Sequence, residues 1–167
     1  MDCFWLLLVA CSKEGKYVIE NMAPAGSTEE QEKYDNEEYI YATYERFLAG
    51  DRNFLEETQL EKWFIPEYQD NLLKYEYTYL DLDDDALPEL LVQLVDDPCG
   101  YNAVFHLEEG KIFCWNSDTV EMSCCDYPLS NGMMVRQYDF AGTRTYNLFR
   151  YTSEGEMETI TTLFVRE

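Results

Sequence analysis

Apolar and polar residues recur with two different periods along this chain, and the change of period separates a helical part from a strand-rich part. Between residues 36 and 50, four apolar residues share one face of a predicted α-helix at spacings of four, three and one: Ile40, Tyr44, Phe47 and Leu48. Asp35 or Asn36 can cap the start of this helix, and Gly50 can end it. A short second helix is predicted within residues 54–64.

Beyond residue 74 the pattern is that of β-strands. Residues 75–82 alternate tyrosines with other side chains, and residues 88–95 form a continuous apolar run, which is typical of a central strand. Seven runs of strand length are separated by turn signals: 75–82, 88–95, 101–107, 111–115, 132–139, 143–151 and 156–166. The pattern predicts an α+β fold, with one or two N-terminal helices followed by a mainly antiparallel β meander of about six or seven strands.

Composition and charge narrow the range of partners. The chain has 167 residues, enough for one domain, and its 14 Tyr and 9 Phe favour strands over a helical bundle. The formal net charge is −22. Such a surface repels phosphate backbones, so we expect no nucleic-acid partner. It favours cations and basic partners, or serves only to keep the protein in solution.

The N-terminal segment carries the signal for localisation. Residues 1–10 include the apolar run FWLLLVA, which is too short to span a bilayer, and LVAC ending at Cys11 has the pattern of a bacterial lipobox. We therefore expect lipid on the Cys11 thiol, a signal-like segment over 1–10, a polar tether over 11–34 and a single domain over 35–167. The segment departs from a signal peptide in carrying Asp2 and no basic residue. The alternative is a buried N-terminal strand with a core cysteine.

Six cysteines limit the covalent chemistry. Lipoprotein processing would remove Cys3 and modify Cys11, leaving four: Cys99, Cys114, Cys124 and Cys125. Their spacing contains no CxxC pair, which argues against a zinc site. Outside the membrane these four cysteines can form disulfides in three connectivities, and we expect at least one to stay a buried thiol, because adjacent cysteines on a strand point to opposite faces.

Four aspartates within residues 81–85 form the strongest chemical signal. Asp81, Asp83 and Asp85 occupy positions one, three and five of a turn between two predicted strands, the Leu87 carbonyl occupies position seven, and Glu89 occupies position nine. This spacing suits Ca²⁺, which accepts six to eight hard oxygen ligands. From residue 80 to residue 94 there are five acids and no Lys or Arg, so the acids have no local cationic partner in the sequence.

The segment YTYLDLDDDALPELLV, residues 77–92, is similar to the strand–DLDGDGxPELLV–strand segment of extracytoplasmic lipoproteins of Firmicutes, especially gut species. The order of lipobox, polar tether, helix, acidic loop and β meander also resembles these proteins. The resemblance implies a lipid-anchored location and a metal loop rather than a reaction. Carried over by position, it implies five ligands for Ca²⁺: Asp81, Asp83, Asp85, the Leu87 carbonyl and Glu89.

Two loop positions depart from this family pattern. Position four, usually Gly or Asn, is Asp84, and position six, usually Gly, is Ala86. If position six needs a left-handed residue, alanine costs roughly 1–2 kcal/mol there. The alternative to a metal loop is an acidic β-turn that keeps the shape without binding an ion.

No residue is assigned a catalytic role from the sequence. His106 is the sole histidine, and we interpret it as a hydrogen-bonded or surface histidine on a strand rather than a catalytic one. The first function class is a non-enzymatic surface lipoprotein, possessing a calcium loop and binding an unknown protein or glycan, with membrane contact through the lipid anchor alone. The second is a cytoplasmic, acidic immunity or antagonist protein. The third is a hydrolase that uses an unidentified carboxylate pair.

Overall fold

A computed structural model of the chain describes residues 34, 36–70, 72–95, 97, 99–118 and 124–166. The predicted signal-like segment, the tether up to residue 33, Cys11 and the candidate cap Asp35 lie outside these residues. Within the described part, no helix combines the length and the apolar character needed to cross a bilayer.

The elements follow the predicted order of helices and then strands, and the α+β fold class is confirmed. They are helix α1 (Glu37–Leu48), a 3₁₀ turn (Arg52–Phe54), helix α2 (Gln59–Lys62), and strands β1 (Tyr75–Leu80), β2 (Glu89–Leu94), β3 (Asn102–Glu108), β4 (Lys111–Asp118), β5 (Cys124–Pro128), β6 (Met134–Phe140), β7 (Thr143–Tyr151) and β8 (Met157–Arg166). The described strands number eight and form two four-stranded antiparallel sheets, in the orders β1-β2-β3-β4 and β5-β6-β7-β8.

Helix α1 begins and ends close to where its sequence pattern predicts. The Asn36 side chain accepts hydrogen bonds from the backbone N–H groups of Glu38 and Tyr39, which satisfies donors that have no partner within the helix. Gly50 follows the last turn with a φ of 97°. The four predicted apolar residues of α1 are all buried.

The first sheet is covered on both faces, which explains the unbroken apolar run of β2. One core lies beneath α1 and contains Tyr44, Phe47, Leu90 and Phe105. The Tyr44 hydroxyl donates to the Phe105 carbonyl at 3.2 Å, tying the helix to the sheet. Alternate residues face the second sheet and form a separate buried cluster: Leu82, Leu91, Val104, Met134, Phe149 and Tyr151. The molecule is thus three layers, with α1, the first sheet and the second sheet in that order.

A disulfide joins the two sheets. Cys99, in the β2–β3 connection, is bonded to Cys125 in β5, with the Cα atoms 4.6 Å apart. Cys114 is a buried thiol, as expected for at least one cysteine, and it donates to the Asn116 carbonyl at 3.3 Å. Burial raises the pKa of the Cys114 thiol well above its usual value, so this thiol is protonated and unreactive at neutral pH.

Candidate metal centre

The acidic loop closes the hairpin between β1 and β2. Leu80 and Glu89 are the last pair in the register of these strands, so residues 81–88 form the connection. Asp81 organises the loop from its first position, because its Oδ1 accepts from the Asp84 N–H at 2.8 Å and its Oδ2 accepts from the Ala86 N–H at 3.0 Å. The chain therefore curls around the Asp81 carboxylate.

Two loop residues adopt left-handed backbone conformations. Asp84 has a φ of 68° and Ala86 a φ of 70°. Position six of the loop therefore does need a left-handed residue. Ala86 occupies it, although a residue without a Cβ is preferred there. The turn is tightened further by Asp83 Oδ1, which accepts from the Asp85 N–H at 3.3 Å, and by Asp85 Oδ1, which accepts from the Leu87 N–H at 2.7 Å.

Three of the five predicted ligand residues converge on one point. Carboxylate oxygens of Asp81, Asp83 and Glu89 all lie within 4.8 Å of one another, and this buried to half-buried group could hold a metal ion. Asp85 and Leu87 are not part of that group. They line an adjacent cavity of about 220 Å³ together with Asp83. Their roles as ligands stay predictions.

Glu89 is the most buried member of the group, with 0% of its surface exposed. Its Oε2 accepts from the Leu82 N–H at 2.7 Å, and its Oε1 lies 2.9 Å from Nδ1 of His106. Burial raises the pKa of Glu89 despite the hydrogen bonds from His106 and Leu82, which act in the opposite direction. Burial lowers the pKa of His106, but the hydrogen bond and charge of Glu89 outweigh it, so the net shift is upward.

Asp83 carries a buried oxygen that lacks a hydrogen-bond partner. Among the described residues, nothing donates to its Oδ2. Burial, followed by the negative charge of Asp85, raises the pKa of the Asp83 carboxyl. A buried acceptor without a donor costs roughly 1–3 kcal/mol, which a bound cation would relieve. The donor set and this unsatisfied oxygen therefore fit a hard divalent cation.

His106 is the residue at this site that sequence reasoning missed. The sequence shows no Lys or Arg near the acids, but the pairing of Leu91 with Val104 sets β3 beside β2 so that His106 reaches Glu89. Glu89 thus has a hydrogen-bond partner from outside residues 80–94, although that segment itself contains no Lys or Arg. The interpretation of His106 as a hydrogen-bonded strand histidine agrees with its position. The available signal was that Val104 and His106, two residues apart, lie on the same face of a strand. The register of β2 on β3 was needed to show that His106 reaches Glu89.

An aromatic stack extends from His106 towards the second sheet. The His106 ring stacks on Trp115 at a centroid distance of 4.5 Å, and Trp115 stacks on Tyr151 of β7 at 5.5 Å. Trp115 packs against the inter-sheet cluster, and Tyr151 is part of it. The Glu89–His106 pair is therefore continuous with the packing between the sheets.

The acidic loop also contacts the second sheet directly. Leu82 is 2% exposed and packs its side chain into the inter-sheet cluster, between Asp81 and Asp83 of the converging group. Gly132, in the β5–β6 turn, lies so close that a Cβ there would collide with the Asp81 carbonyl oxygen. A cleft of about 400 Å³ opens beside this contact and is lined by Asp81, Asp83 and Arg150, among others. The conformation of the loop thus bears on how the sheets pack.

Comparisons with protein-family models, curated proteins and solved structures found no match to this chain.

Proposed function

We propose that this domain binds one Ca²⁺ ion in the loop of residues 81–89 and uses it as a structural brace, within a non-enzymatic lipoprotein held at the cell surface. The observation that carries the proposal is the convergence of the carboxylates of Asp81, Asp83 and Glu89, together with the unsatisfied Oδ2 of Asp83. The partner recognised by the domain is an unknown protein or glycan.

Calcium suits this donor set better than other common divalent ions. All three side chains offer hard oxygen atoms, and the neighbouring Leu87 carbonyl and water can complete a coordination shell of six to eight oxygens. Magnesium retains its own waters, which a fully buried ligand such as Glu89 would have to displace. Zinc prefers nitrogen and sulfur ligands. Calcium would supply charge neutralisation to the buried acids, with no chemical step.

The bracing role follows from where the loop lies. Residues 81–89 carry Leu82 into the inter-sheet cluster, and Gly132 of the second sheet packs on the Asp81 backbone. Three carboxylates held close together repel one another, and this repulsion favours opening of the loop. A cation that removes the repulsion would stabilise the loop and, through Leu82, the contact between the sheets.

A location outside the cytoplasm is supported by the disulfide between Cys99 and Cys125, because disulfides persist in oxidising compartments. The lipid anchor is proposed on Cys11, which lies outside the described residues. Expressed with its N-terminal segment in a Gram-positive host, the protein should partition into detergent, and Cys11→Ser should move it to the aqueous phase. If both forms stay in the aqueous phase, the anchor is absent and the cytoplasmic antagonist gains support.

The calcium proposal is tested by thermal unfolding at constant ionic strength, since salt alone screens the acids of this protein. Ligand binding to the folded state raises stability by mass action, so the melting temperature should rise with calcium at about 10⁻⁴–10⁻³ M, the range of extracellular modules. Asp83→Asn should reduce this shift. Asp84→Asn is the matched control, because Asp84 lies in the same loop but outside the group of converging carboxylates. Equal responses of the two variants, or equal effects of calcium and magnesium, would leave the loop as an acidic turn.

A further inference from the structure

The charge of this protein is distributed unevenly along the chain. Between residues 134 and 166, which cover β6, β7 and β8, four arginines are balanced by four acids, so this segment has no net charge. The whole net charge of −22 therefore resides in the remainder of the chain. Two copies of the protein repel each other, and the repulsion is weakest when they meet through the neutral segment.

Strand β8 is the exposed edge of this neutral segment. It lies at the end of the second sheet and, among the described strands, pairs with β7 alone. Residues 159–165 contain no charged side chain. Leu163 and Phe164 are 60% and 66% exposed, although successive side chains on a strand point to opposite faces. Both faces of β8 are therefore apolar and open at this edge.

Such an edge normally carries protection against pairing. An unpaired strand edge presents a row of N–H and C=O groups, and natural proteins protect it with charged residues, proline or a bulge. β8 has one irregularity, opposite Leu148 and Phe149, and beyond it the ladder with β7 is regular from Thr161 to Arg166. Within that regular ladder, residues 161–165 have neither charge nor proline. This five-residue ladder, which we call the β8 edge, suits addition of another strand.

We propose that the β8 edge pairs antiparallel with the β8 edge of a second copy of this chain, joining the two second sheets into one continuous eight-stranded sheet. The charge distribution favours a second copy over a basic partner, because a basic partner would be drawn to the acidic remainder of the surface rather than to this neutral strand. Leu163 lies at the centre of residues 161–165, so a symmetric pairing brings it beside its counterpart.

Sedimentation equilibrium of the full chain tests this inference. The weight-average mass should rise from 19.7 kDa towards twice that value as the protein concentration increases from about 1 to about 100 µM, a range that corresponds to ordinary transient affinities. Leu163→Lys should weaken association at least about tenfold, because it places two like charges directly opposite each other across the pairing. Phe164→Lys should weaken it less, because residue 164 lies opposite Thr162 of the other copy and the two lysines are then diagonal neighbours about 7–8 Å apart. Leu72→Lys is the matched control: Leu72 is 87% exposed and precedes β1, far along the chain from β8, so association should be unchanged.

Salt provides a second, independent readout. Because the two copies repel through their acids, raising the salt concentration should strengthen association, whereas a contact held by ion pairs would weaken. Both substituted side chains are exposed, so the lysine variants should fold. Their melting temperatures check this. A monomeric mass at all concentrations overturns the inference. It does so whether another part of the chain or another protein covers β8. So does a dimer that the lysine variants leave intact, or one that salt weakens.

Discussion

Oε1 of Glu89 lies 2.9 Å from Nδ1 of His106, and the Glu89 carboxylate is completely buried. The two residues belong to neighbouring strands of the first sheet, and the acidic loop begins eight residues before Glu89. His106 therefore forms a hydrogen bond with the deepest acid of the candidate metal centre from the adjacent strand. We expect this pair to affect both the stability of the site and the contact of Glu89 with a cation.

Removal of His106 should leave a buried charge without its partner. His106→Phe keeps a ring that can stack on Trp115 but removes the hydrogen bond to Glu89, so we expect it to lower the free energy of unfolding by about 3–5 kcal/mol. Glu89→Gln in the same background should recover part of this loss, because a neutral amide tolerates burial better than an unpaired carboxylate. Urea denaturation of the single and double variants measures this. A double variant less stable than His106→Phe alone would contradict the buried-charge explanation.

The same substitution should change the response of the protein to calcium. With His106 replaced by Phe, the buried Glu89 charge has only the Leu82 N–H as a hydrogen-bond donor. A bound cation that neutralises this charge should therefore stabilise the variant more than it stabilises the wild type. We expect a larger calcium-induced rise of the melting temperature in His106→Phe than in wild type. An unchanged or smaller rise would mean that Glu89 does not contact the ion.

Ala86 is the position at which a single change should improve the loop. Its φ of 70° is unfavourable for alanine, and Ala86→Gly should raise the free energy of unfolding by up to about 1 kcal/mol, after the greater flexibility of glycine in the unfolded chain is counted. Ala141, with a φ of 50° in the β6–β7 turn, is the matched control. Ala141→Gly should give a comparable gain in urea denaturation. Only Ala86→Gly should change the calcium-induced rise of the melting temperature. An equal change in both variants would mean that the backbone conformation at position 86 does not affect ion binding.

The Cys99–Cys125 disulfide should contribute substantially to stability. It closes a loop with a sequence separation of 26 residues, for which the chain-entropy model gives about 3.5 kcal/mol. A reducing agent should therefore lower the urea midpoint of the wild type, and it should have no effect on Cys99→Ser/Cys125→Ser. Cys124→Ser should remain sensitive to the reducing agent, since the neighbouring Cys125 forms the bond. Loss of that sensitivity would assign the bond to Cys124 instead.

Local patterns were sufficient to predict the parts of the fold that depend on nearby residues. The spacing of Ile40, Tyr44 and Phe47 predicted α1, and the unbroken apolar run of residues 88–95 predicted a central strand, which is β2. The acidic spacing brought Asp81, Asp83 and Glu89 into consideration together, because Asp81 and Asp83 lie in one short hairpin connection and Glu89 begins the strand that follows it. Each of these features is decided by contacts within about ten residues of sequence.

Features that depend on distant contacts could not be predicted in the same way. β5, with the sequence CCDYP, lacks the alternation that marks a strand, and it is held by pairing with β6 and by the disulfide to Cys99. The split of the meander into two stacked sheets depends on what covers Leu91 and Val104. The contact of His106 with Glu89 requires the register of β2 on β3. In each case the deciding partner is remote in sequence.

The most direct test of the metal centre is a calcium titration followed by two-dimensional ¹H–¹⁵N NMR at constant ionic strength. A bound ion should cause saturable shifts concentrated at His106 and at the amides that hydrogen-bond to the carboxylates of the site and its loop, namely those of Leu82, Asp84, Asp85, Ala86 and Leu87. Asp83→Asn should weaken this response, and Asp84→Asn should preserve it. Small shifts spread over the whole acidic surface, without saturation and reproduced by magnesium, would contradict a calcium site in this loop.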